Sequence, residues 1–122
     1  MGYESKIIIV HKINNSMLNS KGRCYAHDYA SFDMGKVYPL SDILRRKPAT
    51  DCYFFSAEVD EEIVEDCYGD PLTETPVSEL LQIVDDIIES GETYFMYRVL
   101  RDALNAFDCE MPGNLVALHY GY

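Results

Sequence analysis

The sequence predicts a single α+β domain over residues 1–122, a mainly antiparallel four-stranded sheet with two longer helices packed on one face. Three observations carry this. The run Ile7-Ile8-Ile9-Val10 is β-branched and apolar on both faces, so it reads as a central strand. Two consecutive segments, 76–90 and 93–107, place apolar residues at helical period. A length of 122 residues with 48% apolar types supports one modest core and no interdomain cleft.

In chain order, Lys6 to Lys12 is the first strand, with Ile7, Ile9 and His11 on one face and Ile8 and Val10 on the other. Asn14-Asn15-Ser16 to Lys21-Gly22 reads as a loop or wide hairpin connection, and Arg23 to Phe32 alternates loosely as a second strand. Ser41 is placed to cap a short helix through Arg46, with Asp42 in the first turn, bases at the end and Pro48 beyond. Asp51 to Val59, built around Cys52-Tyr53-Phe54-Phe55, is the third strand. Residues 60–75 are acidic, contain Gly69-Asp70-Pro71, and read as a helical turn followed by a loop. Thr75 as N-cap and Pro76 at the first helical position start the first long helix, with Val77, Leu80, Leu81, Val84, Ile87 and Ile88 on its apolar face. Asp85 and Glu89 fall on its exposed face. The second long helix carries Met96, Val99, Leu100, Ala103, Leu104 and Phe107, and Leu115 to Tyr120 is the last strand.

Charge divides the chain more sharply than hydropathy. Residues 1–50 hold eight bases and four acids, whereas residues 51–97 hold fourteen acids and no base. The net charge of −11 argues against direct contact with DNA or RNA, which needs a basic footprint, and against an anionic membrane surface. No signal peptide core or membrane span is legible, so the expected compartment is the cytoplasm. The four cysteines, Cys24, Cys52, Cys67 and Cys109, are too sparse for a secreted disulfide scaffold and are expected to be reduced.

Motifs for catalysis or metal binding are thin. Cys24-x-x-His27 is a metal-like half-pair without a second pair at suitable spacing, and an offset of three in a strand sends the two side chains to opposite faces. Glu58-Val59-Asp60, with Asp51 or Asp33, offers carboxylates for a divalent-metal hydrolase or nuclease, but no lysine lies in that segment to meet charge developing at phosphate. No nucleophile elbow, phosphate loop or zinc-protease motif occurs. The expectation is a protein without catalytic residues, cofactor or metal. The strongest signal is the acidic middle itself: carboxylates spaced on a rigid frame can imitate a row of phosphates and steer a basic groove towards them. The candidate partner-binding residues are Glu58, Asp60, Glu61, Glu62, Glu65, Asp66, Tyr68, Asp70, Asp85, Asp86 and Glu89. Tyrosine, with ten copies and no tryptophan beside them, suits an interface.

The opening Met1-Gly2-Tyr3-Glu4-Ser5-Lys6 before a β run, with Phe32-Asp33-Met34-Gly35-Lys36 further on, resembles small accessory proteins encoded by bacteriophages and prophages. The acidic middle is similar in charge character to phage DNA-mimic inhibitors, a group that includes several anti-CRISPR proteins. This resemblance implies the host bacterial cytoplasm and an inhibitor that binds the basic nucleic-acid-binding surface of a host protein. These inhibitors share no motif, so no residue role is carried over. Two other readings stand beside it: a small structural or assembly protein with a solvated acidic face, self-associating as a homodimer through its Ile/Val/Tyr-rich strands, and a carboxylate-based metal-dependent hydrolase or nuclease.

Overall fold

The computed structural model describes residues 3–12, 23–56 and 61–122, so the connection at 14–22 and the end of the third strand lie outside the described residues. The elements are β1 (Ser5–Lys12), β2 (Cys24–Gly35), α1 (Tyr38–Leu44), β3 (Cys52–Ser56), β4 (Glu61–Ile63), β5 (Thr73–Pro76), α2 (Val77–Glu89), α3 (Phe95–Glu110) and β6 (Leu115–Gly121). The strands form one sheet in the order β4-β3-β2-β1-β6-β5. The α+β class stands, with one short and two longer helices, but the described residues hold six strands rather than four.

β1 is central, antiparallel to both β2 and β6. Its two-faced apolar run is buried on both sides. Ile7 and Ile9 join Met34, Leu115 and Ala117 beneath Leu40 and Leu44 of α1, Val77, Leu80, Val84 and Ile87 of α2, and Tyr97, Leu100 and Leu104 of α3. Ile8 and Val10 face a second core with Ala26, Cys52, Phe54, Leu72 and Leu118. That second core exists because the sheet curls. Residues 48–50, which run into β3, pair with the outer edge of β5 through an Ala49–Thr73 bridge, the Thr50 amide donating to the Leu72 carbonyl (2.8 Å) and the Glu74 amide to that of Pro48 (3.0 Å). A few residues later Cys52 and Tyr53 pair with Cys24 and Tyr25 of β2. One short stretch thus ties both sides of the sheet together over the Ile8 face.

The β2–β3 pairing is parallel, so the sheet is mixed rather than purely antiparallel. The segment expected as turn and loop, 60–75, forms β4 and β5 instead. Strands of three and four residues carry too little period to be recognised, and their pairing is supplied by β3 and β6. α1 begins at Tyr38, not at Ser41. Pro39 fits its first turn, where no backbone N–H is required, and buried Ser41 lies inside the helix with its hydroxyl donating to the Tyr38 carbonyl at 3.4 Å. Thr75 is buried in β5 and Pro76 takes the N-cap position with extended backbone (φ −54°, ψ 142°), so strand passes into helix without a loop. α3 runs three residues past the expected Phe107. Val84 and Ile87 are buried and Glu89 is exposed as expected, while Asp85 is half-buried rather than exposed.

Candidate partner-binding cleft

The parallel ladder between β2 and β3 lasts only two residue pairs, Cys24–Cys52 and Tyr25–Tyr53. Beyond it β2 follows β1, and β3 turns away to pair with β4 through Phe54–Ile63, Phe55–Glu62 and Ser56–Glu61. The strands splay and leave an open cleft of about 560 Å³. Ile8, Phe54 and Ile63 give it apolar lining. Asp28 and Ser31 stand on the β2 wall, and Phe55, Glu61, Glu62 and Glu65 on the wall formed by β3, β4 and the residues after it. Among the described residues, five carboxylates, counting Asp66, line the cleft against one ammonium, that of Lys6, which sits 5.5 Å from the Tyr122 ring centroid.

The cleft gathers only part of the acidic set read from the sequence. Glu58 and Asp60 lie outside the described residues. Glu61, Glu62 and Glu65 are exposed on the cleft wall. Asp66 lines it too, but is buried and acts locally: its Oδ1 accepts from the Tyr68 amide (2.9 Å) and the Asp70 amide (3.0 Å), fixing the turn at 66–70. Asp66→Ala is therefore expected to cost about 1–2 kcal/mol, read as a lower midpoint in urea unfolding, whereas Glu65→Ala should stay within about 0.5 kcal/mol of wild type.

Tyr68 and Asp70 lie elsewhere. The Tyr68 ring stacks on Tyr3 (5.4 Å, 21°), and Asp70 lines a separate pocket of about 370 Å³ with Tyr3, Arg45, Lys47 and His119. Asp85, Asp86 and Glu89 belong to α2, in the helix layer that covers the Ile7 face, away from the cleft; Asp86 accepts from the Gln82 side chain at 2.9 Å. The acidic segment is also not free of bases in space. Lys12 pairs with Asp51 (2.7 Å) and Glu74 (3.3 Å), and Lys47 with Glu79. The Lys12 ammonium holds the Asp51 carboxyl below its ordinary range. Asp28 and Lys6 belong to the cleft and were not singled out by sequence; five chain segments meet there, and no local pattern marks that meeting.

The other candidate groups are held in ordinary structural contacts. Cys24 packs against the second core while exposed His27 meets the Tyr29 ring edge-on at 4.9 Å, so this pair does not converge. Burial pushes the Cys52 thiol up to about 11, Lys12 opposing and Asp51 adding. All four cysteines are free. Asp33 accepts from the Tyr122 hydroxyl at 3.0 Å. The contact that most resembles catalytic machinery is His119 Nε2 to Ser5 Oγ, 2.9 Å, which sequence reasoning missed because 114 positions separate the two. Ser5 is completely buried, so its hydroxyl is closed to a substrate, and burial together with the Arg45 charge pushes His119 down to about 4, leaving a weak base.

No family model matches the chain, and neither does any curated protein or solved structure. No helix among the described residues is long and apolar enough to cross a membrane.

Proposed function

We propose that the protein is a non-enzymatic, phage-type inhibitor that binds the basic, nucleic-acid-binding surface of a host protein in the bacterial cytoplasm. The observation that carries this reading is the cleft lining, which among the described residues sets four exposed carboxylates, Asp28, Glu61, Glu62 and Glu65, beside one ammonium on an apolar base. Exposed Glu61, Glu62 and Glu65 supply the contact charge, and Asp85, Asp86 and Glu89 on α2 add to the long-range field that steers a basic partner. The contact surface is thus narrower than a continuous row of acids along 58–89. Asp66 and Tyr68 serve the turn and the Tyr3 stack rather than a partner.

The test is affinity capture from a bacterial lysate with the wild type and with a Glu61→Gln, Glu62→Gln, Glu65→Gln variant, at about 0.05 M and about 0.5 M salt. Screening shortens the reach of charge from about 10 Å at 0.1 M. The wild type should retain nucleic-acid-handling proteins at low salt, and the variant should lose about tenfold in affinity for them with its unfolding midpoint unchanged, because exposed acids contribute little to stability. Equal capture by both proteins at both salts would assign these glutamates to solvated surface. Recovery of only the protein itself would favour the self-associating structural reading.

A further inference from the structure

We infer that the cleft takes a short extended segment of the partner, bearing Lys or Arg side chains, which adds as a strand to the outer edge of β2. This rests on the cationic-partner reading above and specifies the form of the ligand. The observation behind it is the unfinished ladder of β2. Of its twelve residues, only Cys24 and Tyr25 have, among the described residues, a strand on the outer side. From Ala26 to Gly35 the strand has β1 on one side and, among the described residues, no strand on the other. A row of backbone donors and acceptors in that state is a template for strand addition.

Such an edge ordinarily faces open solvent. Here two residues of its middle, Asp28 and Ser31, stand on one wall of the cleft, and the opposite wall is built by Phe54, Phe55 and Glu61 to Glu65 of the same chain. A strand advances about 3.3 Å per residue, so four positions offer about 13 Å of pairing edge. Charge selects the occupant. Asp28 lies on the edge with Glu61, Glu62 and Glu65 across from it, so a neutral strand gains little and a second copy of this chain, at net −11, is repelled. A basic strand answers the carboxylates, and because successive side chains of a strand alternate in direction, apolar residues between the basic ones can cover Ile8, Phe54 and Ile63. The register shift in β2 between the partners of Ile9 and Val10, which skips Tyr29, and the acid beside it are the usual protections of an edge against stray pairing. The acid, Asp28, leaves a cationic segment as the strand that is admitted.

The experiment uses the full chain and two synthetic peptides at low salt: one alternating Lys and Val, the other the same sequence with every second backbone amide N-methylated, which keeps the charge and removes main-chain pairing. Amide hydrogen exchange is followed over 26–35. The unmodified peptide should bind, slow exchange at least tenfold at those β2 amides that do not serve the β1 ladder, and bind at least tenfold more tightly than the methylated one. Equal affinity of the two peptides with β2 exchange unchanged would overturn strand addition and leave the charge reading of the cleft standing. Absence of salt-sensitive binding by either peptide would overturn both.

Discussion

Val84→Asp is expected to destabilise the protein severely, with a thermal midpoint far below that of wild type. Val84 is completely buried on the inner face of α2, in the core it shares with Leu80, Ile87, Leu100 and Leu104. An aspartate there removes apolar contact and buries a carboxylate with no base in that core to meet it, at a cost of about 4 kcal/mol or more. A domain of this size has about 5–15 kcal/mol in total, so the change consumes much of it. Glu89→Ala on the outer face is the matched control. Glu89 is exposed at the C-terminal end of α2, where the helix dipole disfavours an acid and no base lies in the last turn, so its removal should be neutral or slightly stabilising. Circular dichroism during thermal unfolding reads both, and a near-wild-type midpoint for Val84→Asp would refute the placement of α2.

The second large effect is on acid stability. His119 is pushed down to about 4 by burial and by Arg45, while in the unfolded chain it titrates near its ordinary 6.5. Between those values the unfolded state binds the proton and the folded state does not, so stability is full above about pH 6.5 and falls as the pH drops towards 4. From pH 7 to pH 4.5 this one group should cost about 2 kcal/mol. The Lys12–Asp51 pair does not interfere in that window. Asp51 is held below its ordinary 3.8, so its contribution is lost only at lower pH. Relief of repulsion among the many acids acts on wild type and variant alike. His119→Asn should therefore unfold with a midpoint whose fall between pH 7 and 4.5 is smaller than that of wild type by about 8 °C, on the scale of a few degrees per kcal/mol for a chain of this length. Parallel pH profiles for the two proteins would refute the neutral, buried state of His119.

The parts of this fold legible in the sequence are those with enough residues to show a period. β1 announced both of its buried faces in four consecutive residues, and the apolar face of α2 repeats over thirteen positions. β4 and β5 were illegible because three or four mostly polar residues become a strand only when another strand's edge is offered to them. The parallel β2–β3 contact and the curl through residues 48–50 depend on pairings across roughly 25 residues, with no local signature. The charge blocks were real in sequence but mixed in space: Lys12 and Lys47 come from the basic first part and sit against Asp51, Glu74 and Glu79. Glu61, Glu62 and Glu65 were recognised as candidates for composition alone. What gathers them on one cleft wall is the splaying of two strands, with Asp28 across the gap, which only the fold displays.

The central claim is that the cleft carboxylates occupy a partner's nucleic-acid-binding surface. The most direct measurement is a displacement titration on a captured nucleic-acid-binding partner, with labelled DNA or RNA bound to it and the wild type or the Glu61→Gln, Glu62→Gln, Glu65→Gln variant added at low salt. The wild type should displace the nucleic acid completely, and the variant should require about tenfold more protein, equivalent to about 1.4 kcal/mol of lost binding. Retention of the labelled strand in a ternary complex with the wild type, or displacement by the variant at the same concentration, would contradict the account.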